Sequence, residues 1–186
     1  KFLNLLGSVQ SYQNEYAKSI ESFQNAIEIL DINGNELLSA QIKSNISNIF
    51  FTINNFTEAY RYSYSSYSVL SKLKDTTHLP LVSSILGISA LKIDSIHQAK
   101  KYISEAVALS KQYKNLLGII IGLYAEAELQ INQQQYNVAI DSYTQSLAVS
   151  LQLNALHYQM INHIGLSTAY NQIKSYQEAL IQGKNA

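Results

Sequence analysis

Residues 134–143 read Gln-Gln-Tyr-Asn-Val-Ala-Ile-Asp-Ser-Tyr, and within them Tyr136 is followed three positions later by Ala139. The same pairing of an aromatic or apolar residue with a small one stands at Tyr16/Ser19, Phe56/Ala59, Ile96/Ala99 and Tyr176/Ala179, so that successive pairs lie 40 residues apart. Five occurrences in one register mark an internal repeat, and a period in this range signals a solenoid in which each unit buries its apolar face against its neighbours. Nine residues before each pair stands another small residue, in turn Gly7, Ser47, Gly87, Ala127 and Ser167. Small side chains at that place let two helices approach closely.

Two residues before each pair come Asn14, Asn54, Asp94, Gln134 and Lys174, where the chain has to reverse. Asn and Asp tolerate the left-handed conformation that ends a helix. A second series of turns falls at Asn33-Gly34-Asn35, Lys74-Asp75, Lys114-Asn115 and Asn154-Ala155. Each unit is therefore expected to hold two helices of about 15–17 residues, and the chain to be an all-α solenoid of about five antiparallel hairpins. The single proline, Pro80, falls near a helix start, where a missing N–H costs little.

The pattern resembles the tetratricopeptide repeat family, on Leu6-Gly7, Leu86-Gly87, Tyr16…Ser19-Ile20…Phe23…Ala26, Tyr136…Ala139-Ile140…Tyr143 and Tyr176…Ala179-Leu180. The resemblance covers essentially the whole chain and implies a right-handed superhelix formed by residues 1–186 as one repeat domain. The family's common period is about 34 residues; a longer one implies longer helices, as in the variant similar to bacterial sensor and regulator proteins. The start inside an amphipathic helix at Lys1-Phe2-Leu3 leads to the expectation of a fragment of a longer chain.

Apolar residues make up 47% and charged residues 14%, which excludes the low-hydrophobicity, high-charge signature of disorder. Thirteen basic residues balance thirteen acidic ones, and Arg61 is the only arginine, so the footprint of nucleic-acid binding is missing. The chain has no cysteine, which removes disulfides, thiolate metal sites and cysteine nucleophiles and leaves the compartment open between cytoplasm and periplasm. The longest apolar run, Leu116 to Ala125, is too short for a membrane span and reads as a buried helix. His78, His97, His157 and His163 lack ligand spacing, and neither a Gly-rich phosphate loop nor a nucleophile elbow occurs. The expectation is a binding module, not an enzyme, with no cofactor, metal, nucleic-acid or membrane partner.

The resemblance implies that the first helix of each hairpin lines the concave face. Carried over, the groove is expected to present Asn45, Asn48 and Phe51, then Ser84, Ile88 and Lys92, then Tyr124, Glu128 and Asn132, and finally Thr168. Ile85, Ile121 and Ile161 are further groove positions. Polar and amide-rich at first, the groove turns apolar toward the C-terminal half, which suits a peptide or a partner helix whose backbone meets amides and whose side chains meet apolar walls. Packing between first helices is the competing reading for Ile85, Ile88 and Ile131. The family's clamp for a terminal carboxylate needs a lysine or arginine beside asparagine on adjacent first helices; Asn45 and Asn48 are present, without a lysine in evident place.

Glu126 and Gln130 depart from the pattern, since they face the partner helix where apolar residues are usual. Glu126 with Glu128 could form an acidic hook; the structural alternative is a bond from a tyrosine or serine hydroxyl to Glu126. Tyr60, Tyr62, Tyr64 and Tyr67 crowd around Arg61, with core packing or an aromatic docking patch as the two readings. Peptide or protein-helix recognition is the leading expectation, and a ligand-sensing part of a larger signalling or regulatory protein is the alternative. Homo-oligomerisation through end hairpins carrying Phe2, Leu3 and Leu6 is a third.

Overall fold

A computed structural model describes residues 2–186. It contains ten helices and, among the described residues, no strand: α1 (Phe2–Tyr12), α2 (Tyr16–Ile32), α3 (Glu36–Thr52), α4 (Phe56–Lys72), α5 (Leu79–Lys92), α6 (Ile96–Gln112), α7 (Leu116–Asn132), α8 (Tyr136–Gln152), α9 (Leu156–Gln172) and α10 (Tyr176–Asn185). Each helix packs antiparallel on the next, so the chain is a file of five hairpins.

The turns explain the file. Asn14, Gly34, Asn54, Lys74, Asp94, Lys114, Gln134, Asn154 and Lys174 all adopt positive φ, between 52 and 68°. At each, the next residue's N–H reaches back to a carbonyl five positions earlier, as Asn55 to Phe50 at 2.8 Å and Ser95 to Ala90 at 2.8 Å. The left-handed residue itself donates to the carbonyl three positions back, as Asn54 to Phe51 at 3.0 Å. These are Schellman closures, which satisfy the last carbonyls of a helix. The residue just past the turn then caps the following helix: the side chains of Asn35, Asn55 and Asn115 accept from the N–H groups of Leu38, Glu58 and Gly118 at 3.1, 3.3 and 2.8 Å. One helix ends and the next begins within three residues, except between α4 and α5.

Close approach within hairpins follows the small residues. Gly7, Ser47, Gly87 and Ala127 are buried, as are their partners Ser19, Ala59, Ala99 and Ala139. A Cβ added at Gly87 would stand 2.6 Å from Ile103 Cγ1 and 3.0 Å from the Ile103 backbone nitrogen, so only glycine permits that helix spacing. Serine serves where glycine does not. Ser19 Oγ donates to the Gly7 carbonyl at 2.6 Å, Ser66 Oγ to Ala40 at 2.7 Å and Ser146 Oγ to Ile120 at 2.9 Å, each bond tying one helix to its neighbour.

Curvature comes from unequal spacing. α3 packs on α5, α5 on α7 and α7 on α9, while among the described residues no comparable contact joins the even-numbered helices to one another. The even-numbered helices meet through long side chains such as Tyr67 and Tyr102, whose ring centres are 5.2 Å apart. The odd-numbered helices therefore form the inner wall of the superhelix. The core falls into four clusters along the file and is heaviest at its middle: α5 buries all but two of its residues, whereas only Gly7 in α1 and Ala179 in α10 are buried. The apolar run expected to be a buried helix opens α7, with Ile120, Ile121, Leu123 and Ala125 inside and Leu116 and Leu117 at the surface. At the first hairpin Phe2 and Leu5 are exposed and Leu3 and Leu6 half-buried. Among the described residues no helix is long and apolar enough to cross a membrane.

Candidate functional site

The inner wall encloses a cavity of about 680 Å³. Four successive inner helices build it: Asn48, Phe51 and Thr52 from α3, Ile85, Ile88 and Lys92 from α5, Ile121 and Tyr124 from α7, and His157, Tyr158 and Ile161 from α9. Asn54, in the turn after α3, and Phe56, opening α4, close one side. A single concavity reaching from α3 to α9 requires the superhelix to curl tightly over its central hairpins. Its floor is the core itself, since Ile85, Ile88 and Ile121 are 1, 1 and 4% exposed and show the cavity little more than an edge. Packing between inner helices is thus their main role; the half-buried Ile131 packs on the cluster of Ala127, Ala139, Tyr143 and Leu166.

Polar chemistry at the rim centres on Glu128. Lys92 Nζ donates to Glu128 Oε2 at 2.7 Å, and Tyr143 Oη donates to Glu128 Oε1 at 2.6 Å. Tyr143 is 1% exposed, and a buried phenol needs such an acceptor. Burial pushes the hydroxyls of Tyr124 and Tyr143 well above the ordinary phenol range, and the Glu128 carboxylate beside them acts in the same direction. Both hydroxyls remain neutral donors at physiological pH. The α8–α9 packing holds the arrangement in place, because a Cβ on Gly165 would stand 2.5 Å from two ring carbons of Tyr143.

Of the residues expected in the groove, Asn48, Phe51, Ile88, Lys92 and Tyr124 line this cavity. Five others do not. Ser84 is wholly buried and its hydroxyl donates to the Pro80 carbonyl at 3.0 Å, so it presents nothing to a ligand. Asn45 lies in a separate cleft of about 400 Å³ with Ser8, Ser11, Tyr12 and Phe23, which Asn48 also borders. Glu128 is committed to Lys92 and Tyr143. Asn132 is exposed at the end of α7, and Thr168 borders a cleft beside α10 while its hydroxyl back-bonds to the Ile164 carbonyl at 3.0 Å.

The acidic hook is not formed, because Lys92 neutralises one of its two carboxylates. The tyrosine bond proposed for Glu126 belongs instead to Glu128, two residues on, and among the described residues no hydrogen bond reaches the Glu126 side chain. Gln130 Oε1 is buried without a partner. Lys92 and Asn48 come from adjacent inner helices and border one space, but the Lys92 ammonium is taken by Glu128, so the two do not stand as a clamp for a terminal carboxylate. His157 and Tyr158 also line the cavity without being among the expected groove residues. The available signal was helical: His157 precedes Ile161 by four positions and so shares its face. His163 points elsewhere, to Gln182 Oε1 at 2.6 Å. Among the described residues no group of three His, Asp or Glu side chains could hold a metal ion.

A file of antiparallel hairpins closed by paired turns, with small residues between helices and a concave inner wall, is a tetratricopeptide-type solenoid. Solved structures share the fold. A Rap protein complexed with Competence and Sporulation Factor superposes with a TM-score of 0.82 at 14% identity, covering 98% of this chain and 52% of its own. Aspartyl phosphate phosphatase F from Bacillus subtilis gives 0.73 at 18% identity over 98% of this chain and 49% of its own. MamA gives 0.62 at 15% identity over 99% and 87%. The chain thus spans about half the length of the first two. No family model and no curated protein sequence matches it.

Proposed function

We propose that the inner cavity binds a short peptide segment of a partner protein. The observation that carries this reading is the cavity itself, with walls of Phe51, Phe56, Ile121, Tyr158 and Ile161 and, at the edges, the amides of Asn48 and Asn54 and the ammonium of Lys92. Apolar walls with a few placed polar groups are what ligand sites consist of, and the volume lies inside their usual range of about 300–1,000 Å³. The cavity opens to solvent along the inner wall, so a few extended residues or the end of a helix can seat there while the rest of the partner continues outside. The Lys92 ammonium on the walls is already paired with Glu128, which favours a segment of apolar side chains whose backbone meets the amides. The solved Rap protein of the same fold was captured with a bound factor, which agrees with ligand binding by solenoids of this shape.

Selecting a displayed random-peptide library on the purified chain tests the reading. The selected peptides should be rich in aromatic and branched apolar residues, and Asn48→Ala and Tyr124→Ala should each weaken them by about ten-fold or more. Affinities untouched by both substitutions would overturn it.

One feature favours a regulatory use of the same site. A ligand in the cavity touches α3 and α9 together, helices from the second and fifth hairpins, and so holds the curl of the superhelix at one value. A selected peptide that leaves the small-angle scattering profile unchanged would count against that use.

A further inference from the structure

The neutral composition conceals a segregation of charge. Eight of the thirteen basic residues lie between positions 61 and 114, against three acidic ones there, Asp75, Asp94 and Glu105. On the outer face this excess concentrates over α4 and α6. Lys100, Lys101 and Lys111 are exposed along α6 with no exposed acid on that helix, and Lys72 is exposed along α4, where Arg61 is already paired with Glu58. The other outer helices lack this bias: α2 exposes Glu21 and Glu28 beside Lys18, and the only charge α8 carries is Asp141.

Tyrosines lie between these cations. Tyr60 and Tyr64 stack with ring centres 6.1 Å apart, Tyr67 meets Tyr102 edge-on across the two helices, and Lys101 Nζ lies 5.1 Å from the centre of the Tyr102 ring. Tyr64 is 49% exposed. The two acids of these helices are both engaged: Glu105 accepts from Tyr67 Oη at 2.7 Å, and Glu58 pairs with Arg61. Helix packing does not require this arrangement, since α8, built to the same repeat, presents Thr144, Leu147 and Asp141 at the places of Tyr64, Tyr67 and Lys101.

We infer that the outer face of α4 and α6 is a second docking surface, separate from the inner cavity, and that its partner is an acidic segment of another protein. Rigid aromatic rings supply contact area at small entropic cost, while a surrounding group of lysines steers and orients carboxylates. The complementarity is to a short acidic stretch and not to an extended polyanion. Two 17-residue helices span about 25 Å along their axes, and acidic side chains on α2, α8 and α10 repel a longer negative chain running across the file.

The test uses a fluorescein-labelled peptide of repeated Glu-Glu-Leu triplets, read by fluorescence anisotropy on the full chain. Binding should weaken as salt rises and should fall about ten-fold in Lys100→Glu with Lys101→Glu. The pair Lys174→Glu with Lys184→Glu makes the same change of net charge on exposed residues outside the surface, and should leave affinity within about two-fold. Asn48→Ala in the inner cavity should have no effect. Thermal melts of both charge-reversed proteins establish that each is folded. Three results would each overturn the inference: no binding at low salt, equal losses in the two charge-reversed proteins, or an oligothymidylate of matched charge binding as tightly as the peptide.

Discussion

Lysine is a poor choice for a left-handed turn, yet Lys74, Lys114 and Lys174 hold φ between 52 and 61° at the ends of three helices. A side chain in that region costs about 1 kcal/mol that glycine does not incur. Lys114→Gly should therefore stabilise the chain by about 0.5–1 kcal/mol, seen as a higher midpoint in urea. The reciprocal change is Gly34→Ala. No atom lies within 4 Å of a Cβ placed there, so the expected loss of about 1 kcal/mol reports backbone strain alone. Equal midpoints for Gly34→Ala and the parent would contradict the assigned turn. At this scale the sequence was readable where chemistry is local: Asn14, Asn54 and Asp94 announce turns by residue type, whereas the lysines and Gln134 could be placed only by their register with those three. Side-chain partners were less legible. Glu126 and Glu128 are two apart on one helix, and which of them meets Tyr143 depends on how α8 rotates against α7, a tertiary quantity that spacing does not contain.

Among the helices α5 is the exception, since it begins at Leu79 and has 14 residues where its inner neighbours have 17. The residues before it form a cap built on Asp75. Its carboxylate accepts from the N–H groups of Thr77 and His78 at 2.9 and 2.7 Å and from Gln41 Nε2 at 2.9 Å. Burial pushes the Asp75 carboxyl up, but the bonds from His78 and Gln41 outweigh it and hold the group below its ordinary value. A carboxyl lowered on folding lends stability above its unfolded value, near pH 4, and that stability is lost as pH falls through the lower folded value. Asp75→Ala should cost about 1–2 kcal/mol at neutral pH. The gap to the parent should narrow as denaturation is followed to pH 3 and below; a gap constant with pH would rule out the charged cap. Pro80 marked this helix start in the sequence, but the long reach to Gln41 on another hairpin left no trace there.

Over the whole molecule, burial is graded along the file, from a helix pair at the centre with few exposed groups to end helices with a single buried residue each. Solenoid stability is a sum of units and their junctions, so the ends open at less cost than the middle. Native-state hydrogen exchange should find the slowest amides in α5 and α7 and the fastest in α1 and α10, and uniform protection along the chain would refute the gradient. The five-hairpin architecture followed from the 40-residue spacing, because register is a one-dimensional property. The cavity was legible only in half: five of the ten expected groove residues line it. Which inner residues remain open to a ligand is set by curl, and curl depends on the distances between helices that are not consecutive in the chain.

The paired turns have a consequence for how such a chain changes over generations. Every hairpin starts and stops on equivalent geometry, so Asp94 and Gln134 occupy the same place in their turns. A genetic deletion of residues 95–134 would join Asp94 to Gln135 with the backbone course of either turn intact, and a duplication of that block would extend the file by one hairpin. Length is therefore the property of this architecture most open to inheritance by slippage, and the size of the inner cavity would vary with it.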